Sequence, residues 1–285
     1  CSANSEGGAI CVQEGSSVTI NGGIYRNNKT TSITSPRSGW GGGFMYNIGT
    51  LSIYGGSFIE NSSVGRGGCI YHGGVSGTKT YLYGGCFQGN KSSNSEYRQS
   101  GAIFHSSFST EATILDLSGD VEFCGDGTDS GVDGIYLDMQ SATPRKIQIS
   151  DTLTYTVPLY LKATEGYVIA NGTNDYTILH ERDMKKISFV DVSDPDKKWY
   201  AVLDKEKNEV YLSTTDPKYG YYVYYISNGA QGSVTDDTSY NIGESAIVKG
   251  AEGKLEREGY HFVEWNTKAD GTGTSYQEGE ELEIT

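Results

Sequence analysis

Two short motifs alternate through the first 134 residues, and a recurrence of this kind restricts the chain to repeat architectures. The first motif is Gly, two apolar residues, then an aromatic or apolar one. It appears as Gly8-Ala9-Ile10-Cys11, Gly43-Phe44-Met45-Tyr46, Gly68-Cys69-Ile70-Tyr71, Gly101-Ala102-Ile103-Phe104 and Gly134-Ile135-Tyr136-Leu137. The leading glycines lie 35, 25, 33 and 33 residues apart. The second motif reads Gly22-Gly23-Ile24-Tyr25-Arg26-Asn27-Asn28, Gly55-Gly56-Ser57-Phe58-Ile59-Glu60-Asn61 and Gly84-Gly85-Cys86-Phe87-Gln88-Gly89-Asn90. A degenerate copy from Gly119 to Asp126 puts Phe123 and Asp126 in its aromatic and Asn positions.

Between the motifs lie short alternating runs such as Val18-Thr19-Ile20, Leu51-Ser52-Ile53, Tyr81-Leu82-Tyr83 and Leu115-Asp116-Leu117. They read as strands. None can bury a face alone, whereas stacking them as coils of a solenoid builds one continuous core. The Gly-Gly pairs permit positive φ at coil corners. The Asn that ends each second motif can bond neighbouring backbone, or its equivalent one coil away, as a ladder.

Composition supports this reading. Of 39 Gly, 27 fall in residues 1–134, without the strict three-residue period of collagen. The 22 Tyr, 8 Phe and 3 Trp argue against disorder. No apolar run approaches the roughly 18 residues of a membrane span. Residues 1–110 carry 7 basic and 4 acidic side chains, and residues 111–285 carry 15 and 32. The acidic part would repel phosphates and anionic membranes, and the slightly basic part has no Lys/Arg cluster. Neither a nucleic-acid partner nor membrane insertion is expected.

The Gly-Gly-Ala-Ile and Phe-x-x-Asn pair resembles the repeats of polymorphic outer-membrane proteins and of related bacterial surface β-helices. That resemblance covers about residues 1–140 and implies a right-handed parallel β-helix. Residues 141–214 lose the glycine but keep strand-like runs, including Val157-Pro158-Leu159-Tyr160-Leu161 and Val210-Tyr211-Leu212. They read as last coils and a closing cap, since terminal repeats are atypical.

After Pro217 the texture changes. The strand Gly259-Tyr260-His261-Phe262-Val263-Glu264-Trp265 precedes a turn at Asp270-Gly271 and then Tyr276. This stretch, about residues 219–285, closely resembles the Listeria/Bacteroides-type or internalin B repeat. The resemblance implies a small β-grasp-like module of bacterial surface proteins, often a spacer. Its usual final strand is missing, and Cys1 falls as far before Gly8 as Asn61 does before Gly68. Both ends therefore read as cut from a longer polypeptide. The expected fold is all-β: a right-handed parallel β-helix over 1–214, with cap from about 141, then a truncated B-repeat module over 219–285.

Candidate chemistry is sparse. Aligning the first motif gives a column of Val12, Asn47, His72, His105 and Asp138. In register, His72 and His105 would sit about 5 Å apart on adjacent coils. Such a column is either a polar stack or, with Asp138 or Asp126, the general base of a polysaccharide lyase or hydrolase. Asp126, Asp129 and Asp133 form a weak calcium candidate, although the segment is not an EF-hand loop. The five cysteines lack C-x-x-C spacing, which argues against zinc, and they read as small buried residues. No cofactor is otherwise expected. The polar loops holding Thr31, Ser35, Arg37 and Trp40, and Asn94, Tyr97 and Arg98, are the expected binding surface, because binding residues favour loops on rigid scaffolds. Exposed Tyr or Trp could stack on sugars.

Taken together, these features lead us to expect a non-catalytic fragment of a bacterial cell-surface protein. It would be extracellular, on the cell wall, presenting an adhesin surface to a host protein or glycan with the B-repeat as spacer. A carbohydrate-active enzyme of the β-helix class is the alternative, and a purely structural stalk a further one.

Overall fold

The computed structural model describes residues 1–3, 6–32, 41–93, 101–106, 113–124, 133–138, 145–173 and 179–285. It divides into two compact units, Cys1–Pro217 and Lys218–Thr285.

The first unit is a parallel β-solenoid. Seven strands stack in chain order into one sheet: Ile10–Val12, Met45–Asn47, Ile70–His72, Ile103–His105, Ile135–Leu137, Val157–Leu161 and Ile187–Asp191. All neighbours in it are parallel. A ten-stranded sheet faces it. Its parallel part contains Ser17–Ile20, Thr50–Ile53, Lys79–Gln88, Ile114–Cys124, Ile147–Leu153 and Val168–Gly172. The two-residue strands Ser2–Ala3, Lys29–Thr30, Ser62–Ser63 and Lys91–Ser92 form a four-stranded third sheet.

Local chemistry fixes these turns. Gly56 and Gly85 take φ of 117° and 115° where the chain rounds the second-motif corner, a region that disfavours any Cβ. A Cβ built on Gly68 would overlap the carbonyl oxygen of Gly101 on the next coil, so only glycine lets the backbones stack there.

The core is built from columns. Tyr25, Phe58, Phe87 and Phe123 stack along the axis with ring centroids 5.2, 4.8 and 5.3 Å apart. Alternation places Asn47 and Met45 on one face of their strand and Tyr46 on the other. On that other face Tyr46, Tyr71, Phe104 and Tyr136 form a second stack at 5.2, 5.7 and 5.2 Å, joined by Tyr160. Each buried ring is worth roughly 1.5–3 kcal/mol in transfer free energy, so repetition supplies the core that a single coil lacks.

Residues 145–213 close the stack. Tyr200–Asp204 and Glu209–Ser213 form a hairpin, and the second strand pairs antiparallel with Val168–Gly172. That hairpin covers the end of the otherwise parallel sheet, where unpaired edges would invite association.

The second unit is built from antiparallel pairs: Gln231–Gly232 with Leu255–Glu256, Ser245–Ile247 with Glu281–Glu283, and Trp265–Asn266 with Ser275–Tyr276. Its buried apolar residues are Val234, Tyr240, Ala246, Val248 and Ala251, and Trp265 is half-buried. Its Nε1 donates to the Lys249 carbonyl at 2.8 Å, and its ring meets Tyr225 at 4.8 Å and Phe262 at 5.0 Å.

Candidate functional site

The Asn that ends each second motif forms the expected ladder. Asn28 donates through its backbone N and Nδ2 to Asn61 Oδ1 at 3.1 and 2.9 Å. Asn61 donates in the same way to Asn90 Oδ1. Asn90 donates to Asp133 Oδ1 at 3.1 and 3.0 Å. Each rung side chain is almost fully buried. The fourth rung is therefore Asp133, where the sequence alignment had put Asp126. Of the calcium candidates, Asp133 is fully buried and accepts from Asn90 in this ladder. Asp126 and Asp129 lie outside the described residues.

The histidine column is real up to His105. Asn47 is in register with His72 and His72 with His105, and the two rings meet edge to face at 4.6 Å. The next residue in the column is Leu137, which corrects the expected Asp138. The reason is a one-residue offset: Ile103 pairs with Ile135, so Gly134 falls in the column of Cys69 and Ala102, not of Gly101. Burial lowers the pKa of Arg145, Asp138 opposes that shift, and Arg145 Nε donates to the Ser106 carbonyl.

Both imidazoles are fully buried. Asn47 Nδ2 donates to Thr80 Oγ1 at 2.9 Å, which leaves the Thr80 proton for His72 Nδ1 at 2.8 Å. Burial lowers the His72 pKa well below its ordinary value, and His105 and Arg145 add to the effect. Burial, with help from Arg145, lowers His105 to about 3, against an opposing contact with the Lys146 backbone. Both are neutral imidazoles inside the coil: His72 links the seven-stranded sheet to the ten-stranded one through Thr80, and His105 packs edge to face on His72.

Of the expected binding loops, only Thr31 lies within the described residues. It is exposed, and its N and Oγ1 donate to the Ala3 carbonyl. Ser35, Arg37, Trp40, Asn94, Tyr97 and Arg98 lie outside the described residues.

A different surface emerges on the outer face of the ten-stranded sheet. Tyr54 and Tyr83 follow the paired residues Ile53 and Leu82, and their rings stack at 4.7 Å. They are 56% and 37% exposed. Tyr81 lies 6.1 Å from Tyr83 with its ring plane within 3° of parallel. Across the strands Tyr81 is in register with Ser52 and Asp116, and Asp116 with Gln148. Burial raises the Asp116 pKa against the pull of bonds from Ser150. The result is a flat aromatic shelf beside hydrogen-bonding side chains. The signal was present in the alternation of Tyr81-Leu82-Tyr83, where a buried Leu82 sends both tyrosines outward.

The cysteines divide. Cys69 is buried as expected, whereas Cys1 and Cys11 are exposed. Cys86 and Cys124 converge with Sγ atoms 3.0 Å apart, and Glu122 stands beside them. Burial raises the Cys124 pKa, and hydrogen bonds with Cys86 and Glu122 add to it. Linear spacing hid this cluster, but aligning Phe87 with Phe123 brings Cys86 opposite Glu122.

Fold and surface thus define an all-β solenoid protein with a separate small repeat unit. A family model described as the Listeria-Bacteroides repeat domain matches residues 221–285. No curated protein and no solved structure matches the chain. The matched repeat is found in extracellular surface proteins, and among the described residues no helix is long and apolar enough to cross a membrane. A solenoid joined to such a repeat suggests a surface protein.

Proposed function

We propose that this chain is a non-catalytic part of a bacterial cell-surface adhesin, and that its solenoid binds glycans on the outer face of the ten-stranded sheet. The observation that carries the reading is the exposed Tyr54–Tyr83 stack, with Tyr81 alongside. Aromatic rings offer apolar faces to the C–H face of a sugar, and their hydroxyls reach its polar rim. Ser52 and Gln148, beside this shelf, supply donors and acceptors for sugar hydroxyls. Support also comes from the resemblance of the Gly-Gly-Ala-Ile and Phe-x-x-Asn repeats to polymorphic outer-membrane proteins, and from the surface-repeat match at residues 221–285. In this reading the second unit is the spacer toward the cell wall.

The test is a glycan array followed by calorimetry on the hits, with Y54A, Y83A and the double variant. Loss of one stacking ring removes about 1.4 kcal/mol, a tenfold drop in affinity. The two rings stack on the sheet's outer face, so the variants keep the fold and lose at most about 4 °C in melting temperature. Binding that is unchanged in the double variant sinks the proposal. Cleavage of a bound glycan would overturn its non-catalytic part.

A further inference from the structure

We propose that Cys86, Glu122 and Cys124 form a binding site for a thiophilic divalent cation of the zinc type. Cys86 lies in Lys79–Gln88, and Glu122 and Cys124 lie in the next coil's strand Ile114–Cys124. Phe87 and Phe123 point into the core stack, so alternation turns the three flanking side chains outward together. One ligand atom from each lies within 4.8 Å of the others. Two thiolates and a carboxylate are a zinc donor set, while calcium and magnesium require oxygen ligands.

The register separates an ion site from a disulfide. Cys86 pairs with Glu122, and Cys124 pairs with Gln88. The cysteines are thus offset by one strand and two residues. With strands about 4.8 Å apart and about 3.3 Å of rise per residue, their Cα atoms stand roughly 8 Å apart. A disulfide bridges at most about 7 Å without backbone movement. An ion with bonds of about 2.3 Å to sulfur holds two sulfurs about 3.8 Å apart in tetrahedral geometry. Side-chain rotation of less than about 1 Å at each sulfur reaches that spacing from 3.0 Å. Binding releases the two thiol protons to solvent and leaves the fourth position to water. The ion would clamp two successive coils on their outer face.

The test uses the reduced full chain titrated with cobalt(II), whose thiolate charge-transfer absorption reports sulfur ligation. The expected result is saturation at one ion per chain, displacement by zinc, and a higher melting temperature with zinc. C86S and C124S each abolish the band while keeping the wild-type far-UV circular dichroism. E122Q weakens binding at least tenfold, and the C1S/C11S control retains the band. Absence of the band in the wild type overturns the proposal, whatever the variants do. So does a band that survives both C86S and C124S, or a Cys86–Cys124 disulfide found by peptide mapping of protein isolated without reductant.

Discussion

Asn61 is the rung through which the amide ladder can be weighed. Its side chain is fully buried and makes four conventional hydrogen bonds. Nδ2 donates to Asn90 Oδ1 at 2.9 Å and to the Tyr25 carbonyl at 3.0 Å. Oδ1 accepts from Asn28 N and Nδ2. Replacing Asn61 with Ala removes all four and strands buried partners on both neighbouring coils. At about 1 kcal/mol net per bond the loss is about 4 kcal/mol, and water entering the space could reduce it to about 2. Because solenoid stability is a sum over repeats and their interfaces, the damage should concentrate in the coils that contain Tyr25, Phe58 and Phe87. Native-state hydrogen exchange read by mass spectrometry resolves this, since it assigns an opening free energy to each peptide. The control is Ser52→Ala on the outer face, expected within about 0.5 kcal/mol of wild type. A loss below about 1 kcal/mol for Asn61→Ala, or one spread evenly over both units, would refute the view that the ladder holds the coils in register.

Acid sensitivity follows from the buried imidazoles. Their folded pKa values lie below the ordinary value of 6.5, with His105 at about 3, so below pH 6.5 the unfolded chain binds more protons. Stability is then lost as pH falls from 6.5 toward 3, by up to about 1.4 kcal/mol per pH unit for each histidine. His105→Leu copies the Leu137 of the next coil and should flatten that decline in urea titrations between pH 6 and 4; an unchanged slope contradicts it. Glu60 holds φ at 51°, in the column shared by Asn27 and Gly89. Glu60→Gly should therefore raise stability by about 0.5–1 kcal/mol, or roughly 2 °C in melting temperature, and a lower melting temperature would contradict the strain argument.

Much of the solenoid was legible because repetition makes each column its own check. Five leading glycines and three Gly-Gly corners located the strands, and the later strands Val157–Leu161 and Glu209–Ser213 fall on the apolar runs read there. The site was less legible because register depends on insertion lengths that sequence leaves free. Gly134 looks like the leading glycine of a coil, yet it occupies the alanine column, and that single step moved Asp138 off the histidine stack. The same uncertainty hid Asp133 as the ladder's fourth rung, whereas Cys86 and Cys124 were missed although Phe87 and Phe123 were aligned correctly. Cross-strand neighbours are set by pairing, not by distance along the chain, so C-x-x-C reasoning was blind to them.

The exchange of Asn for Asp at the fourth rung has a consequence for how such stacks are assembled. An Asn rung both receives from the coil before it and gives to the coil after it, so a coil carrying Asn can be duplicated or deleted with its neighbours left matched. A carboxylate can only receive. Asp133 accepts from Asn90 and has no amide proton on its side chain to pass forward. It acts as punctuation. Amide rungs are interchangeable letters, and the carboxylate is the full stop after which the regular coils give way to residues 145–213.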